Sequence, residues 1–69
     1  MSLTVRLNGK SETIEAATVT ELLMATGVDP ARRGVAVAVN GEVVPRKSWP
    51  EFRLNPGADI EIVRPLQGG

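Results

Sequence analysis

The chain has 69 residues, with no cysteine and no histidine, and its 8 basic side chains balance 8 acidic ones. This length predicts one small domain. The two missing residue types exclude disulfides, thiolate nucleophiles and nearly all zinc or haem sites. Scattered, balanced charges argue against nucleic-acid binding. No apolar run approaches the ~20 residues of a membrane span, and no signal-peptide pattern follows Met1. We therefore expect a cytoplasmic protein, which the lack of cysteine also fits.

The first part of the chain predicts a β-hairpin. Residues 3–8 alternate apolar and polar side chains, which is typical of a strand with one buried face. Asn8-Gly9 follows, and this dipeptide is the strongest short hairpin signal. Residues 11–16 then form the predicted return strand, with Ile14 facing the core.

The next segment predicts an α-helix. Thr18 and Glu21 form a capping-box pattern, in which the hydroxyl accepts from the Glu21 amide and the carboxylate reaches back. Apolar residues then recur at spacings of three and four, which indicates one buried face. We expect Leu22 and Leu23 in the core. Gly27 is well placed to end the helix in a left-handed conformation.

Residues 29–34 predict a polar connection with room for one helical turn, and residues 35–40 predict the strongest strand of the chain. The alternation directs the valines of this strand to the core and Ala36 and Ala38 to the other face. Two interpretations of that face stay open. It is either a smooth apolar surface that a partner covers or a modest solvent-facing patch.

A second Asn-Gly pair at residues 40–41 predicts another hairpin, whose return strand is short because Pro45 cannot donate a ladder hydrogen bond. A turn-rich crossover follows. Trp49 and Phe52 are the only aromatic residues, and we expect both to cover the core because a small domain needs large apolar side chains. Residues 59–63 predict the final strand, with alternate isoleucines facing inward.

The predicted order is hairpin, helix, hairpin, crossover and final strand. The final strand must join the sheet to bury its isoleucines, and beside the first strand it would run parallel to it. The pattern therefore predicts an α+β fold in two layers, a mixed sheet of four to five strands packed on one helix. We place the domain at residues 1–63 and a flexible tail with a terminal diglycine at residues 64–69.

The sequence contains no catalytic constellation, because its serines lack a histidine or other base and no glycine-rich phosphate loop is present. The remaining reactive group is the chain end at Gly68-Gly69, which carries no Cβ to shield it. Pro65 holds Arg64 extended, and the six residues from there reach ~20 Å. An ATP-using partner could adenylate the Gly69 carboxylate, and a sulfur nucleophile could then displace AMP. Taken alone, this tail also fits a frayed end.

The whole chain resembles bacterial sulfur carriers of the ThiS family, which have the ubiquitin-like β-grasp fold. The Asn-Gly-Glu-Val-Val-Pro-Arg stretch with its following Trp is the more specific motif, whereas many ubiquitin-like carriers share the diglycine. One departure is the turn at residues 55–59, where the family commonly has a tighter Gly-Asp pair. The resemblance rests on these residues: Val39-Asn40-Gly41-Glu42-Val43-Val44-Pro45-Arg46, Trp49, Leu54, Gly57, Asp59-Ile60-Glu61-Ile62-Val63 and Gln67-Gly68-Gly69.

The resemblance implies a role in making the thiazole of thiamine, as a protein co-substrate and not as an enzyme. In that family a ThiF-type enzyme uses ATP and magnesium to adenylate the terminal glycine, here Gly69. The glycine becomes a thiocarboxylate and delivers sulfur to a thiazole synthase of the ThiG type. A sulfur donor such as a cysteine desulfurase is also implied. The carrier itself holds no metal and no nucleotide tightly.

The same resemblance assigns site residues. Gly69 is the carrier site, and Gly68 is required for passage into a narrow active site. Arg64, Leu66 and Gln67 are expected to contact the partner as the tail threads into it. Independently of the resemblance, the alternation along residues 35–40 makes Ala36 and Ala38 the candidate partner-binding face of the domain.

Two alternatives stay open. The small subunit of molybdopterin synthase is a sulfur carrier with the same fold and diglycine, although such chains are usually longer, with aromatic residues shortly before the tail. The other alternative is a ubiquitin-like binding module whose tail is never activated. Such a module would use the face at Ala36 and Ala38 and would tolerate a blocked terminus.

Overall fold

The structure is a computed structural model that describes residues 2–65 of the chain. It contains five strands, one α-helix and one short 3-10 helix. In chain order these are β1 (Leu3–Leu7), β2 (Lys10–Ile14), α1 (Val19–Ala25), β3 (Ala36–Val39), β4 (Glu42–Val43), the 3-10 helix (Arg46–Ser48) and β5 (Asp59–Val63).

The strands form one mixed sheet in the order β2-β1-β5-β3-β4. The last strand therefore lies at the centre, parallel to β1 and antiparallel to β3. This confirms the expected parallel pairing of the first and last strands. The short β4 lies at an edge, as the proline after it requires. The five-stranded mixed sheet with one helix is the β-grasp fold that the resemblance implies.

Both Asn-Gly pairs form tight hairpin turns with left-handed backbone. The φ angles are 49° and 84° at Asn8 and Gly9, and 52° and 85° at Asn40 and Gly41. Positive φ at both central residues is the type of turn that asparagine and glycine favour. The return strand β2 is earlier and shorter than predicted, because it ends at Ile14 and the following residues cross to the start of the helix.

The helix begins and ends where the sequence predicts. The Thr18 hydroxyl accepts a hydrogen bond from the Glu21 amide at 3.3 Å. The Glu21 carboxylate reaches back to the amide of Ala17 at 2.7 Å, one residue before the cap. Gly27 follows the helix with φ of 81°. The predicted start, stop and backward reach are confirmed.

The core lies between this helix and one face of the sheet. Leu22, Leu23 and Ile60 are fully buried. Trp49 is 2% exposed, and its indole N–H donates to the Val44 carbonyl at 2.9 Å, which satisfies its one polar atom. Phe52 is half-buried and packs against the core from its margin. Within residues 2–65, no buried side-chain polar atom lacks a hydrogen-bond partner.

The connection at residues 29–34 contains turns and no helical element, so the prediction of a helical turn there is wrong. An Asp29 carboxylate oxygen accepts from the Ala31 amide at 2.9 Å, which favours a turn. Carbonyl oxygens of this connection also accept from the guanidinium of Arg46. These oxygens serve a side chain of another segment instead of the next helical turn.

Candidate functional site

The candidate site begins where the central strand ends. Ile60 and Ile62 of β5 face the core, as predicted, and β5 ends at Val63. Strands pair with β5 on both sides, so the segment that leads toward the tail is held at the middle of the sheet. The tail therefore follows directly from the central strand of the sheet.

Asn8 holds the outgoing end of β5 from the β1 side. The backbone pairing between β1 and β5 ends at Leu7 and Ile60, because the chain then turns into the first hairpin. The side-chain amide of Asn8 continues the pairing. Its oxygen accepts from the Ile62 amide at 2.8 Å, and its nitrogen donates to the Ile62 carbonyl at 3.4 Å. The Asn8 side chain thus takes the place of a further β1 residue in the pairing with the end of β5.

Arg64 and Pro65 are the last described residues. The Arg64 side chain is exposed, and Pro65 is half-buried. Pro65 lies against Gly34, which is two residues before the start of β3. The predicted tail residues Leu66, Gln67, Gly68 and Gly69 lie outside the described residues. Their roles, and the division into residues 1–63 and 64–69, stay predictions.

An apolar patch covers the solvent face of the sheet next to this strand end. Ala36 is exposed and Ala38 is half-buried, on the face opposite the helix, as predicted. Val63 lies directly across from Ala36 and is 60% exposed. Val43 lies directly across from Ala38 and is 75% exposed. We call these four residues, Ala36, Ala38, Val43 and Val63, the outer patch.

The two valines of the outer patch were missed by the sequence interpretation. Strict alternation along β5 places Val63 on the face opposite Ile62, which is the signal that could have found it. Val43 has no such signal, because β4 is only two residues long and valines occupy both position 43 and the buried position 44. Only the strand register shows which valine faces outward.

Acidic side chains border the outer patch. Glu61 lies across from Ala38 and is exposed, and Asp59 follows at the next outward position of β5. Arg6 lies across from Asp59 on β1. The solvent face therefore changes from apolar near the tail to charged at the start of β5. An apolar centre with a polar rim is typical of a protein-binding surface.

No group of three or more acidic side chains within residues 2–65 could hold a metal ion, and histidine and cysteine are absent from the sequence. None of the helices described is long and apolar enough to cross a membrane.

The chain matches the family model of the ThiS family over residues 5–69. It is 37% identical over 65 residues to the sulfur carrier protein ThiS of Thermus thermophilus, covering 94% of this chain and 98% of that one. It is also 41% identical over 64 residues to a thiazole synthase of Paramagnetospirillum magneticum. That match covers 91% of this chain but only 19% of the synthase.

Solved structures show the same relationship. A crystal structure of the thiamine biosynthesis protein ThiS from Geobacter metallireducens matches with a TM-score of 0.71 and 38% identity, covering 100% of both chains. A solution structure of a thiamine biosynthesis protein from the same organism matches with a TM-score of 0.79 and 33% identity, covering 97% of this chain and 88% of that one. Sequence, family model and fold agree, and the chain belongs to the ThiS family.

Proposed function

We propose that the chain is a sulfur carrier of thiamine biosynthesis whose Gly69 carboxylate is converted to a thiocarboxylate. The observation that carries this proposal is the family match, which runs through the tail to residue 69. The similarity to a sulfur carrier over 98% of that protein's length supports it. The domain would be a protein co-substrate, and the partners would supply the catalytic groups.

The proposed chemistry has two steps. A ThiF-type enzyme binds ATP and magnesium, and the Gly69 carboxylate oxygen attacks the α-phosphorus, so that pyrophosphate leaves and an acyl-adenylate forms. Hydrosulfide, released by a thiol reductant from the persulfide of a donor such as a cysteine desulfurase, then attacks the carbonyl carbon, so that AMP leaves and the thiocarboxylate forms. The first step converts a poor leaving group into a good one, which splits a difficult substitution into two easier ones.

The domain would position the tail in two ways. The outer patch is proposed to dock on the adenylating enzyme, since it lies directly beside the strand that leads to Pro65. Arg64, Leu66 and Gln67 would contact the walls of the channel. Gly68 would pass the narrowest point because it has no Cβ. Association would bury the exposed valines, which favours binding through the hydrophobic effect.

The proposed sulfur acceptor is a thiazole synthase of the ThiG type. A segment similar to nearly the whole chain occurs within the Paramagnetospirillum thiazole synthase, where it makes up 19% of that protein. A carrier joined to its acceptor in one chain acts at a high effective concentration, so joining the two is physically reasonable. This comparison favours thiazole formation over molybdopterin synthesis.

Carrier-dependent exchange of labelled pyrophosphate into ATP tests the first step. With a ThiF-type enzyme, ATP and magnesium, the wild-type chain should support exchange, whereas a chain that lacks Gly69 should not. Thiazole synthase and molybdopterin synthase should then be compared as acceptors of the transferred sulfur. The proposal fails if an enzyme active on a control carrier gives no exchange with this chain. Transfer only to molybdopterin synthase would replace the proposed pathway.

A further inference from the structure

Gly34 and Pro65 form a close contact at the point where the chain leaves the sheet. The β3–β5 pairing ends with Ala36 opposite Val63, and Gly34 meets Pro65 two residues beyond the ends of both strands. A Cβ on Gly34 would lie 3.0 Å from the Cβ and 3.3 Å from the Cγ of Pro65. Carbon atoms in good contact are ~3.5–4.0 Å apart. A side chain at position 34 would therefore push the proline ring away by a few tenths of an ångström.

Gly34 is also required by its backbone. Its φ is 86°, which side chains with L-configuration rarely adopt. Gly57 has nearly the same φ, 82°, but a Cβ there would meet nothing within 4 Å. Comparing substitutions at Gly34 and Gly57 therefore separates the effect of backbone strain from the effect of crowding around the new Cβ.

Arg46 holds the connection that carries Gly34 in place. The guanidinium donates to the carbonyl oxygens of Pro30 and Arg32, the latter at 2.7 Å, and reaches that of Val35 at 3.4 Å. It also lies over the ring of Trp49, 4.5 Å from the centroid, where a cation is attracted to the ring. Since Trp49 is buried, the support for Gly34 extends into the core.

We propose that Gly34 is a positioning residue for activation of the chain end: by admitting the Pro65 ring, it sets the direction in which the C-terminal segment leaves the sheet. The inference rests on the proposed function. Asn8 holds Ile62 from the β1 side, and Gly34 receives Pro65 on the β3 side. The outgoing segment is therefore held on its β1 side and on its β3 side before a partner binds.

Exit direction matters because the reacting carboxylate lies only four residues beyond Pro65 in the sequence. The direction in which Pro65 leaves the sheet sets the point from which these four residues start, and so limits the positions that the carboxylate can reach. Misplacement of a reacting group by about 1 Å can reduce a rate by ~100-fold. Docking through the outer patch should change much less than activation, since Gly34 is not one of its four residues.

The test compares Gly34→Ala with Gly57→Ala as the matched control for backbone strain. Both variants should lose thermal stability through backbone strain, and Gly34→Ala should lose at least as much as Gly57→Ala because its Cβ also crowds Pro65. Gly34→Ala should lower kcat for formation of the thiocarboxylate about tenfold, while KM for the carrier stays within about twofold. Gly57→Ala should retain wild-type kcat, because its strain is at the far end of β5 from Pro65.

Pro65→Gly supplies a second variant that does not depend on how well Gly34→Ala folds. It removes the ring and should lower kcat about tenfold. The double variant should be no slower than either single variant, because both changes disrupt one contact. Two independent effects would multiply to roughly a hundredfold loss, and that result would overturn the inference.

A direct measurement on the isolated chain completes the test. The nuclear Overhauser effect between the Gly34 α-protons and the Pro65 ring protons should be present in the wild type and in Gly57→Ala. It should be weakened in Gly34→Ala. Absence of this signal in the wild type would overturn the inference whatever the kinetics show.

The outcomes separate the inference from the proposed function. If the wild-type chain is activated but Gly34→Ala is as fast as Gly57→Ala, the inference is wrong and the proposed function stands. If the wild-type chain is never activated by an enzyme that acts on a control carrier, both are wrong.

Discussion

The side-chain amide of Asn8 hydrogen-bonds both backbone groups of Ile62, 54 positions away in the chain. Asn40 makes a related contact at the other end of the same strand, where its side-chain oxygen accepts from the Asp59 amide at 2.9 Å. The two hairpin asparagines therefore hold the start and the end of β5. Only the Asn8 contact lies beside the segment that leads to the tail.

Replacing Asn8 with glycine should loosen the outgoing end of β5. Glycine tolerates the left-handed turn, so the change removes the amide contact without adding strain. We expect a loss of about 1–2 kcal/mol in the free energy of unfolding, since the partly buried Ile62 groups lose their partner. Chemical denaturation measures this loss, and hydrogen exchange should be faster at the Ile62 amide. Asn40→Gly is the control. In this variant, hydrogen exchange at the Ile62 amide should change only as much as the global free energy of unfolding does.

Replacing Arg46 with lysine should weaken the connection at residues 29–35. Lysine keeps the charge but loses the planar group that donates to several carbonyls and stacks on Trp49. We expect about 1 kcal/mol of destabilisation, because the contacts are partly exposed. Lys47→Met, an exposed neighbour on the same short helix, should change stability by less than about 0.5 kcal/mol. Equal effects of the two changes would show that the guanidinium contacts contribute little.

Replacing Leu23 with alanine should destabilise the whole domain. Its side chain is fully buried between the helix and the sheet, and removal of such a side chain leaves a cavity. We expect a loss of about 2–5 kcal/mol, a large share of the stability of so small a domain. Thermal or urea unfolding measures the loss. Met24→Ala on the same helix is the control, because Met24 is 57% exposed and its change should have little effect.

A charge placed in the outer patch should weaken partner binding without unfolding the domain. Val63→Lys introduces a cation at a position that is 60% exposed. If the patch docks on the adenylating enzyme, calorimetry should show at least about a tenfold weaker Kd, because the charge would have to be desolvated. Ser11→Lys tests the same solvent face on β2, two strands away from β5, and should bind normally. Unchanged affinity of Val63→Lys would place the docking surface elsewhere.

Local patterns in the sequence predict most of the fold. Alternation identifies the inward residues of β3 and β5, and the two Asn-Gly pairs mark both hairpins. Glu21 and Thr18 mark the start of the helix because their contacts lie within four residues. Each of these signals depends on neighbours in the chain, which is why the sequence alone contains it.

The contacts around the base of the tail could not be predicted in this way. Asn8 is explained by its turn, and nothing in the sequence indicates that its amide also binds Ile62. Arg46 belongs to the motif that carries the family resemblance, but its hydrogen bonds to the connection at residues 29–35 depend on the three-dimensional arrangement. The contact of Gly34 with Pro65 is visible only in the three-dimensional structure.

The mass of the intact chain after activation tests the central claim most directly. The chain is incubated with ATP, magnesium, a ThiF-type enzyme and a sulfur donor, and a variant with one residue added after Gly69 is treated in parallel. We predict that the wild-type chain gains the mass difference between one sulfur and one oxygen at its C-terminal fragment, whereas the extended variant folds but stays unchanged. An unchanged wild-type mass, with an enzyme that converts a control carrier, would contradict the account.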